Sequence, residues 1–397
     1  MSKSSYFDVI IAGGGPAGAS AAIHLASRGA RVLLAEQKKF PREKLCGEFI
    51  SPECLLHFKK LGVDGQMISA QPSSLSKTIF YSNSGRSVTV PSSWFRANGF
   101  AWGLSRAEMD ARLLRRANDA GAEVLESAQV LDVILDEGAV RGVIVKHDGS
   151  DAQYLAPITI DATGRTRALA RRVAKRSQKL APRRSSLVAF KAHLNHTHVA
   201  EGACEIYFYR GGYGGLSTIE NGLSNLCFIA SARDVRSCGS DADRVVLEVV
   251  CQNSRAAQTL VEATPCSPWL AVTLETFGRH SLQPARGLLT IGDAASFIDP
   301  FSGSGMLMAL ESGELISKVL AENLKKIRVG NNTVSVASQY CTLYKQKFDK
   351  RLHVCSFMRR AAFVPGLASL AIAFFGTSAA LSRRATLATR FSSCRNC

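Results

Sequence analysis

The sequence is short of negative charge. It has 49 Lys and Arg against 32 Asp and Glu, giving a formal net charge of +17 over 397 residues. No acidic residue follows Asp349, and none lies among the ten Lys and Arg between Arg165 and Lys191. Such stretches favour an anionic partner, such as a membrane surface or a phosphorylated cofactor, or form a solvated face. No helix-turn-helix, zinc-finger or RNA-binding signature accompanies them, so we do not expect a nucleic-acid partner.

We expect neither a secretory leader nor a metal-binding cysteine array. The first apolar run, residues 6–12, is short and leads directly into glycines, which is not typical of a signal peptide. The eleven cysteines are scattered, and we interpret them as reduced thiols in a cytoplasm. Cys394 and Cys397 have no second pair at zinc spacing, so we predict a frayed tail and no metal site.

One long uncharged run lies near the C-terminus. Residues 361–382 contain no charge and are flanked by two arginines on each side, but Pro365, Gly366 and Gly376 interrupt them. The length would suffice to cross a bilayer. Three interpretations stay open: two short helices that cover the core or an active-site mouth, docking at a membrane interface, or a true span. We expect a C-terminal helical segment over residues 346–397. Residues 351–397 are the candidates for a peripheral membrane contact on the cytoplasmic face.

The N-terminus carries a dinucleotide-binding pattern. A buried strand over residues 7–12 is followed by Gly13-x-Gly15-x-x-Gly18, a helix over residues 19–28 and a second strand that ends at Glu36. The first glycine makes the turn, the second lets the backbone approach a pyrophosphate, and the third allows close packing of helix on strand. The Glu36 carboxylate can accept hydrogen bonds from ribose hydroxyls. The predicted cofactor-binding residues here are Gly13, Gly15, Pro16, Ala17, Gly18 and Glu36.

The rest of the chain alternates strands and helices. We predict a helix over residues 106–120, a meander of strands over 123–147, further strands up to residue 232, and a strand–helix unit over 288–326. The alternation predicts an α/β nucleotide-binding domain interrupted by β-rich insertions. The expected domains are a discontinuous nucleotide-binding domain (5–75, 102–175 and 277–345), a β-rich substrate domain (76–101 and 176–276) and the C-terminal segment.

Three motifs along the chain resemble one flavoprotein superfamily. They are Asp161-Ala162-Thr163-Gly164, Ile291-Gly292-Asp293-Ala294-Ala295 and the loop of residues 300–305. The sequence is similar to aromatic hydroxylases of the p-hydroxybenzoate hydroxylase type, geranylgeranyl reductases and flavin-dependent halogenases. The resemblance implies FAD, a Rossmann-like FAD-binding domain of the glutathione reductase type and a β-sheet substrate domain. It also implies NAD(P)H as a transient electron donor. The cofactor-binding residues it implies are Arg106, Asp161, Gly164, Gly292, Asp293, Pro300, Gly303, Gly305 and Met306.

The segment over residues 40–48 adds a second signal. It resembles the stretch of geranylgeranyl reductases in which a Cys-Gly pair lies near the flavin. The resemblance places Cys46 at the flavin as a cofactor-binding and candidate catalytic residue, with Arg42 or Lys44 near phosphate. The alternative interpretation of Cys46 is a buried structural thiol.

The reaction type depends on the wall of the substrate site. Trp94 and Trp102 are too far apart to supply the Trp-x-Trp element of halogenases. Residues 212–218 resemble the Gly-Tyr-x-Trp-x-Phe-Pro wall of geranylgeranyl reductases, but Gly215, Ser217 and Thr218 replace Trp, Phe and Pro. The missing indole widens the expected pocket, which we predict to be lined by Tyr207, Tyr209 and Tyr213.

Three functions follow from these motifs. The first is an NAD(P)H-using monooxygenase that hydroxylates a lipophilic aromatic or polyketide-type substrate through a flavin C4a-hydroperoxide. The second is a reductase that saturates double bonds of an isoprenoid or polyene lipid. The third, from another class, is a membrane-docked flavin electron carrier. Cys46 and Tyr213 are the candidate catalytic residues, whereas the histidines are interpreted as structural or surface residues (His193, His196, His198 and His280).

Overall fold

The structure is a computed structural model that describes residues 5–95, 99–177, 186–274, 277–329, 333–362, 366–376 and 378–390. Cys394 and Cys397 lie outside the described residues, as do Lys179, Arg183 and Arg184 of the basic stretch.

The strands are, in chain order, β1 (Ser5–Tyr6), β2 (Val9–Ala12), β3 (Val32–Ala35), β4 (Phe49–Ile50), β5 (Ser73–Leu75), β6 (Lys77–Tyr81), β7 (Ser87–Pro91), β8 (Ala101–Gly103), β9 (Glu123–Leu125), β10 (Gln129–Asp136), β11 (Ala139–His147), β12 (Ser150–Leu155), β13 (Ile158–Asp161), β14 (Leu187–Asn195), β15 (Ala203–Tyr209), β16 (Gly212–Thr218), β17 (Ser224–Ser231), β18 (Thr264–Pro265), β19 (Leu270–Leu274), β20 (Gly278–Arg279), β21 (Leu288–Thr290) and β22 (Ser296–Phe297).

The helices are, in chain order, α1 (Pro16–Ala26), α2 (Cys54–Leu61), α3 (Asp64–Ser69), α4 (Arg106–Asp119), α5 (Ala168–Ser177), α6 (Ala232–Ser237), α7 (Ala242–Glu248), α8 (Ser254–Thr259), α9 (Gly305–Glu322), α10 (Leu324–Arg328), α11 (Thr333–Ala362), α12 (Leu367–Gly376) and α13 (Ala379–Ala388).

A parallel five-stranded sheet forms the centre of the molecule, in the order β21-β13-β2-β3-β9. Four of its strands, β21, β13, β2 and β3, are buried along their whole length because helices cover one face and the β10–β12 meander covers the other. Helix α1 follows β2 directly and packs on α9, where Gly313 lies so close that a Cβ would be 2.6 Å from the Ala17 carbonyl oxygen. The predicted strand–helix–strand opening and the strand–helix unit near residue 290 therefore share this sheet.

A second, eight-stranded sheet follows the order β18-β14-β17-β16-β15-β6-β7, with β19 paired to β14. Helices α6 to α8 cover one face, where Phe190, Phe228 and Tyr207 are buried. The other face looks toward the carboxyl ends of the parallel strands. This arrangement confirms the predicted α/β architecture interrupted by a β-sheet insertion.

The C-terminal segment is helical, as predicted. Helix α11 is fixed to the parallel sheet by the hydroxyl of Tyr340, which donates to the Thr290 carbonyl of β21 at 2.7 Å. It is also held to β22, because the Tyr344 hydroxyl is 2.9 Å from Ser296 Oγ. Helices α12 and α13 then return toward β7. Within the described part of the chain, every helix is too short or too polar to cross a bilayer.

Candidate functional site

A cavity of about 880 Å³ lies between the two large sheets and the C-terminal helices. One end is formed by the turns that follow the parallel strands, which is where open α/β sheets bind nucleotides. The other end is formed by the free face of the eight-stranded sheet and by α11, α12 and α13. We call these ends the nucleotide wall and the apolar half.

The glycines of the first turn give the nucleotide wall its shape. Gly13 has a φ of +106°, and a Cβ there would lie 2.5 Å from the Ala162 carbonyl oxygen. At Gly18 a Cβ would lie 1.9 Å from the carbonyl oxygen of Gly13, so only glycine allows α1 to pack this closely. The missing Cβ of Gly15 faces the guanidiniums of Arg42 and Arg106, each 3.9 Å away. The backbone of Gly15 and these two cations therefore lie side by side on the cavity wall, and such groups bind a pyrophosphate.

Glu36 lies at the end of β3, beside this turn. Its carboxylate accepts the backbone N–H of Gly14 at 2.8 Å and that of Lys38 at 3.0 Å, and Arg42 Nε lies 3.8 Å away. The carboxylate is therefore held against the cavity, where a ribose hydroxyl can still donate to it.

Arg106 is the first residue of α4 and is almost completely buried. Its guanidinium makes a two-pronged contact with Asp110, at 2.8 and 2.7 Å, and Arg42 Nη1 lies 3.2 Å from the same carboxylate. Burial opposes the charge of Arg106, but the Asp110 carboxylate outweighs burial, so the pKa of Arg106 is raised. The Arg106 guanidinium thus stays charged, and the Asp110 carboxylate fixes both guanidiniums in position.

Asp293 follows β21 and faces the cavity. Burial raises its pKa, although the nearby cations of Arg165, Arg106 and Lys44 act in the opposite direction. Desolvation in the cavity also lowers the pKa of the Lys44 ammonium, and its cationic neighbours lower it further. A carboxylate in this position on the cavity wall can accept a hydrogen bond from a hydroxyl group of a bound ligand.

Most of the predicted site residues line this cavity. They are Gly13, Gly15, Pro16, Ala17, Glu36, Arg42, Cys46, Arg106, Gly164, Tyr213, Gly292, Asp293, Pro300, Gly303, Gly305 and Met306. Gly18 and Asp161 do not line it. The Asp161 carboxylate instead accepts the Thr163 N–H at 3.0 Å and the Ala170 N–H at 2.9 Å, so it shapes the turn into α5.

Only one of the three tyrosines that we expected in the pocket faces it. Tyr213 lines the cavity, whereas Tyr207 and Tyr209 are buried in the core on the other face of the sheet. Side chains alternate along a strand, so the residues of β15 that face the cavity are Cys204, Ile206 and Phe208. The prediction of a pocket lined by Tyr207 and Tyr209 was therefore wrong.

The hydroxyl of Tyr213 already has partners. It donates to Asp299 Oδ1 at 2.5 Å and accepts the backbone N–H of Phe301 at 3.0 Å. Burial raises the pKa of Tyr213 well above its ordinary value, and the neighbouring Asp299 raises it further. Tyr213 therefore ties the loop of residues 299–301 to the sheet and presents its ring to the cavity.

Cys46 lies where the loop of residues 42–48 crosses the cavity wall. Its thiol sulfur accepts the backbone N–H of Glu48 at 3.4 Å, and its carbonyl accepts the side-chain amide of Asn225 at 3.1 Å. The sulfur also contributes to the raised pKa of Arg106, which places these two side chains beside one another. Cys46 is thus close to the nucleotide wall and to the sheet.

Glu48, Lys191 and His193 form a buried cluster that the sequence did not reveal. Lys191 was counted in a basic stretch expected to be solvated or to bind an anion, but its side chain is 1% exposed and contacts both Glu43 and Glu48. Glu43, Glu48 and His193 together have donors of the kind that bind metals, but the ammonium of Lys191 contacts both carboxylates. One feature of the sequence could have indicated this cluster. Lys191 and His193 alternate with apolar residues in a strand, so both side chains point to the same face of the sheet.

The apolar half combines the free sheet face with the C-terminal helices. Its lining is mainly hydrocarbon and comes from Phe80, Val88, Val90, Ile206, Phe208, Ile229, Leu274, Val354, Met358, Ile372, Phe375 and Ala385. The polar residues of this half are Thr78 on the sheet and Ser382, Thr386, Thr389 and Arg390 at the end of the C-terminal helices. Burial raises the pKa of the Cys204 thiol to about 12, so this thiol is neutral at physiological pH. Of the interpretations of residues 361–382, two short helices over an active-site mouth match this placement.

Comparisons with known proteins agree with this geometry. A family model described as an FAD binding domain matches residues 6–330. Digeranylgeranylglycerophospholipid reductase 2 of Methanopyrus kandleri is 28% identical over 359 residues, covering 87% of this chain and 83% of the relative. Menaquinone reductase of Mycolicibacterium smegmatis is 28% identical over 327 residues, covering 79% and 76%. A triple mutant of a flavin-dependent brominase has the same fold, with a TM-score of 0.80 and 19% identity over 96% of this chain and 94% of that one.

Proposed function

This chain belongs to the FAD binding domain family and is an FAD-dependent oxidoreductase, and from that premise we propose that it saturates carbon–carbon double bonds in the isoprenoid chain of a lipid. The observation that carries the proposal is the apolar half, which continues without interruption from the nucleotide wall and offers a bound molecule hydrocarbon contacts.

The nucleotide wall fits FAD. The backbone of Gly15 and the guanidiniums of Arg42 and Arg106 can bind its pyrophosphate. The Glu36 carboxylate can accept hydrogen bonds from a ribose. Asp293 has no hydrogen-bonding partner among the described residues, so it is available to the hydroxyls of the cofactor. Bound FAD supplies the electrons for the reaction.

The polarity of the apolar half favours a hydrocarbon substrate. A phenol bound there would need a hydrogen-bonding partner for its hydroxyl, because burying an unpaired polar group costs about 1–3 kcal/mol. The Tyr213 hydroxyl is already engaged by Asp299 and Phe301, and the Cys204 thiol is a weak hydrogen-bonding group. The hydroxyls of Ser382 and Thr389 donate to backbone carbonyls, which leaves those of Thr78 and Thr386 as the other hydroxyl groups of the lining. An isoprenoid chain needs none of these partners and gains from burial of its surface.

Cys46 is the residue of this chain best placed to take part in the chemistry. Saturating one double bond adds a hydride to one carbon and a proton to the other. The Cys46 thiol lies on the wall where the apolar half meets the nucleotide wall, so it can present a proton to a chain bound beside the cofactor. The sheet and the cover helices α12 and α13 would exclude water from that chain.

The similar proteins support this substrate class. The two relatives are named as reductases of a digeranylgeranylglycerophospholipid and of menaquinone, and both compounds are lipids with isoprenoid chains. The flavin-dependent brominase shares the fold at 19% identity, which carries no argument about the substrate.

The test uses the purified holoenzyme without oxygen. We expect NADPH, NADH or dithionite to reduce the flavin, and a digeranylgeranyl lipid to reoxidise it. Mass spectrometry should then show that the lipid has gained two hydrogen atoms per double bond. A lipid of unchanged mass with every donor, together with an aromatic substrate that gains oxygen when air is admitted, would contradict the proposal and establish a monooxygenase.

A monooxygenase remains the second candidate because of Gly215. Gly215 faces the cavity opposite Ile206, at the position where the resemblance expects an indole. The extra space would accommodate a ring system. The oxygen arm of the same experiment separates this candidate from the reductase.

We also propose that the C-terminal helices dock on an anionic lipid surface. Outside the cavity lining, α12 exposes Leu370 (66%) and Phe374 (58%), and α13 exposes Arg383 and Arg384. Since the same helices line the cavity on their inner side, docking would bring the apolar half next to the bilayer that holds the substrate. An electron carrier without a substrate pocket would leave this cavity unused.

Sedimentation with vesicles tests the docking. We expect the chain to pellet with vesicles rich in anionic lipid and to remain in solution with neutral vesicles. The double variant F374S/R384Q should pellet less, whereas L247S, which changes an apolar residue of α7 with 71% exposure, should behave as the unaltered chain. Equal pelleting of all three would contradict docking through these helices.

A further inference from the structure

Glu48 is buried completely, at 0% exposure, directly after the Cys46-Gly47 pair. Its backbone has a φ of +53°, in the left-handed region that residues other than glycine rarely adopt. A buried carboxylate and an unfavourable backbone conformation each cost free energy, so the surrounding contacts must outweigh both.

Those contacts come from two different parts of the fold. One carboxylate oxygen, Oε1, accepts the backbone N–H of Arg106 at 2.9 Å, at the first residue of α4. The same oxygen lies 3.1 Å from the ammonium of Lys191, and Oε2 lies 2.7 Å from Nε2 of His193. Lys191 and His193 belong to β14 of the eight-stranded sheet. Glu48 thus joins the helix that carries the cofactor-site arginine to the sheet that forms the apolar half.

We call the contacts of Glu48 with Arg106, Lys191 and His193 the joint, and Cys46 lies beside it. The backbone N–H of Glu48 donates to the Cys46 sulfur at 3.4 Å. From the sheet side, Asn225 on β17 donates its amide to the Cys46 carbonyl at 3.1 Å. The register pairs His193 with Asn225, so both contacts lie at one level of the sheet.

We propose that Glu48 is a positioning residue that fixes the Cys46 thiol on the cavity wall. Its charge is needed because Lys191 is also buried: without Glu48, the ammonium would keep only Glu43, whose side chain is 41% exposed, and would lose its one buried carboxylate partner. The value of this position for catalysis rests on the proposed function, in which Cys46 faces the substrate. The geometry of the joint does not depend on that function.

The test compares two buried carboxylates at the start of α4. Glu48→Gln keeps an oxygen for the Arg106 N–H but removes the charge that faces Lys191 and His193. Glu220→Gln is the matched control, because the buried Glu220 accepts the N–H of Ser105 at 2.9 Å in a similar way. Among the described residues, the Glu220 carboxylate makes no hydrogen bond or ion pair with the loop of residues 42–48.

The first measurement is alkylation of Cys46, followed by mass spectrometry of its peptide with and without FAD. We expect E48Q to accelerate alkylation about tenfold, because the loosened turn exposes the thiol. The exposed Cys266 should react at its usual rate in every variant, and E220Q should leave Cys46 unchanged. With an isoprenoid substrate, kcat of E48Q should fall about tenfold while KM changes by less than about twofold.

Two outcomes would overturn the proposal. One is a folded E48Q protein whose Cys46 reacts at the rate of the unaltered chain. The other is an equal acceleration in E220Q, which would show a general loosening of α4. The double variant E48Q/K191M removes both charges and should restore thermal stability but not the slow alkylation of Cys46, since the joint remains broken. If the lipid is not reduced but E48Q still accelerates alkylation of Cys46, the proposed function is wrong and the positioning role of Glu48 is supported.

Discussion

The two ends of the cavity are built in opposite ways. The nucleotide wall is shaped by side chains that are absent: at Gly13 and Gly18 a single added carbon would collide with backbone atoms. The apolar half is shaped by side chains that are present, contributed by strands β6, β7, β15 and β17 and by the C-terminal helices. The first end tolerates almost no change, whereas the second can be altered one side chain at a time.

The difference separates cofactor binding from substrate choice. Backbone atoms that approach one another closely define one geometry, so the nucleotide wall suits one ligand. Large side chains on a strand face leave gaps that depend on their sizes, so the apolar half sets what fits beside the cofactor. The predictions below test whether each end can be changed without the other.

The largest effect should come from Gly18→Ala in the nucleotide wall. The new Cβ would lie 1.9 Å from the carbonyl oxygen of Gly13, and backbone atoms cannot move aside without displacing α1. We expect a loss of unfolding free energy on the order of 3 kcal/mol or more and a protein that no longer retains FAD. The visible absorbance of the purified protein and its thermal unfolding measure both effects.

Gly29→Ala is the matched control, beyond the C-terminal end of the same helix. Gly29 has a φ of +79°, but no atom lies within 4 Å of an added Cβ. The substitution should cost about 1 kcal/mol through backbone strain and leave FAD bound. Loss of FAD in Gly29→Ala would show that instability of α1, and not the collision at Gly13, empties the site.

The sequence revealed the nucleotide wall because its parts are neighbours in the chain. The strand, the glycine turn and Glu36 occupy 28 residues, from Val9 to Glu36. Each glycine of the turn is required by one geometric constraint, which the motif states directly. Arg106 was found by resemblance, and it faces Gly15 as a residue of a pyrophosphate site should. Asp161 shows the limit of this approach, since the motif residue supports a turn and does not face the cavity.

The apolar half could not be predicted because it depends on contacts between distant segments. The tyrosines of β15 were assigned to the wrong face, since the alternation of a strand does not say which face will be covered by helices. Lys191 was counted with exposed arginines because its partner Glu48 is 143 residues away. The cover helices were one of three interpretations, and composition alone could not choose among them.

A smaller effect, confined to the apolar half, should come from Gly215→Trp. An added Cβ meets only the end of the Ile206 side chain, at 3.1 Å, and the residue faces the cavity. The protein should fold and retain FAD, with a change in unfolding free energy of no more than about 1 kcal/mol. Because the indole fills part of the apolar half, kcat/KM for a long isoprenoid substrate should change about tenfold or more.

Gly214→Ala separates the cavity from the sheet. Gly214 lies on the opposite face of the same strand, where a Cβ would be 3.0 Å from the Cβ of Phe228. This variant should lower stability and leave the dependence of kcat/KM on chain length unchanged. If Gly214→Ala altered the chain-length preference as much as Gly215→Trp, the substrate would not lie against the cavity face of β16.

The most local effect, confined to the cover helices, should come from Arg390→Met at their end. The largely buried Arg390 pairs with Glu53 at 3.0 Å, contacts the Ser304 hydroxyl and lies over the ring of Phe95 at 4.6 Å. It therefore fastens α12 and α13 to the loop that precedes α9. Removing it should accelerate hydrogen exchange in residues 366–390, with a loss of about 1–3 kcal/mol in the free energy of local opening and with FAD retained. Arg383→Met, an exposed change in the same helix pair, should leave exchange unaltered.

If the two variants exchanged hydrogen at the same rate, the cover helices would be held by their apolar contacts alone. If Arg390→Met lost FAD, the two ends of the cavity would be one unit, and the contrast between them would fail.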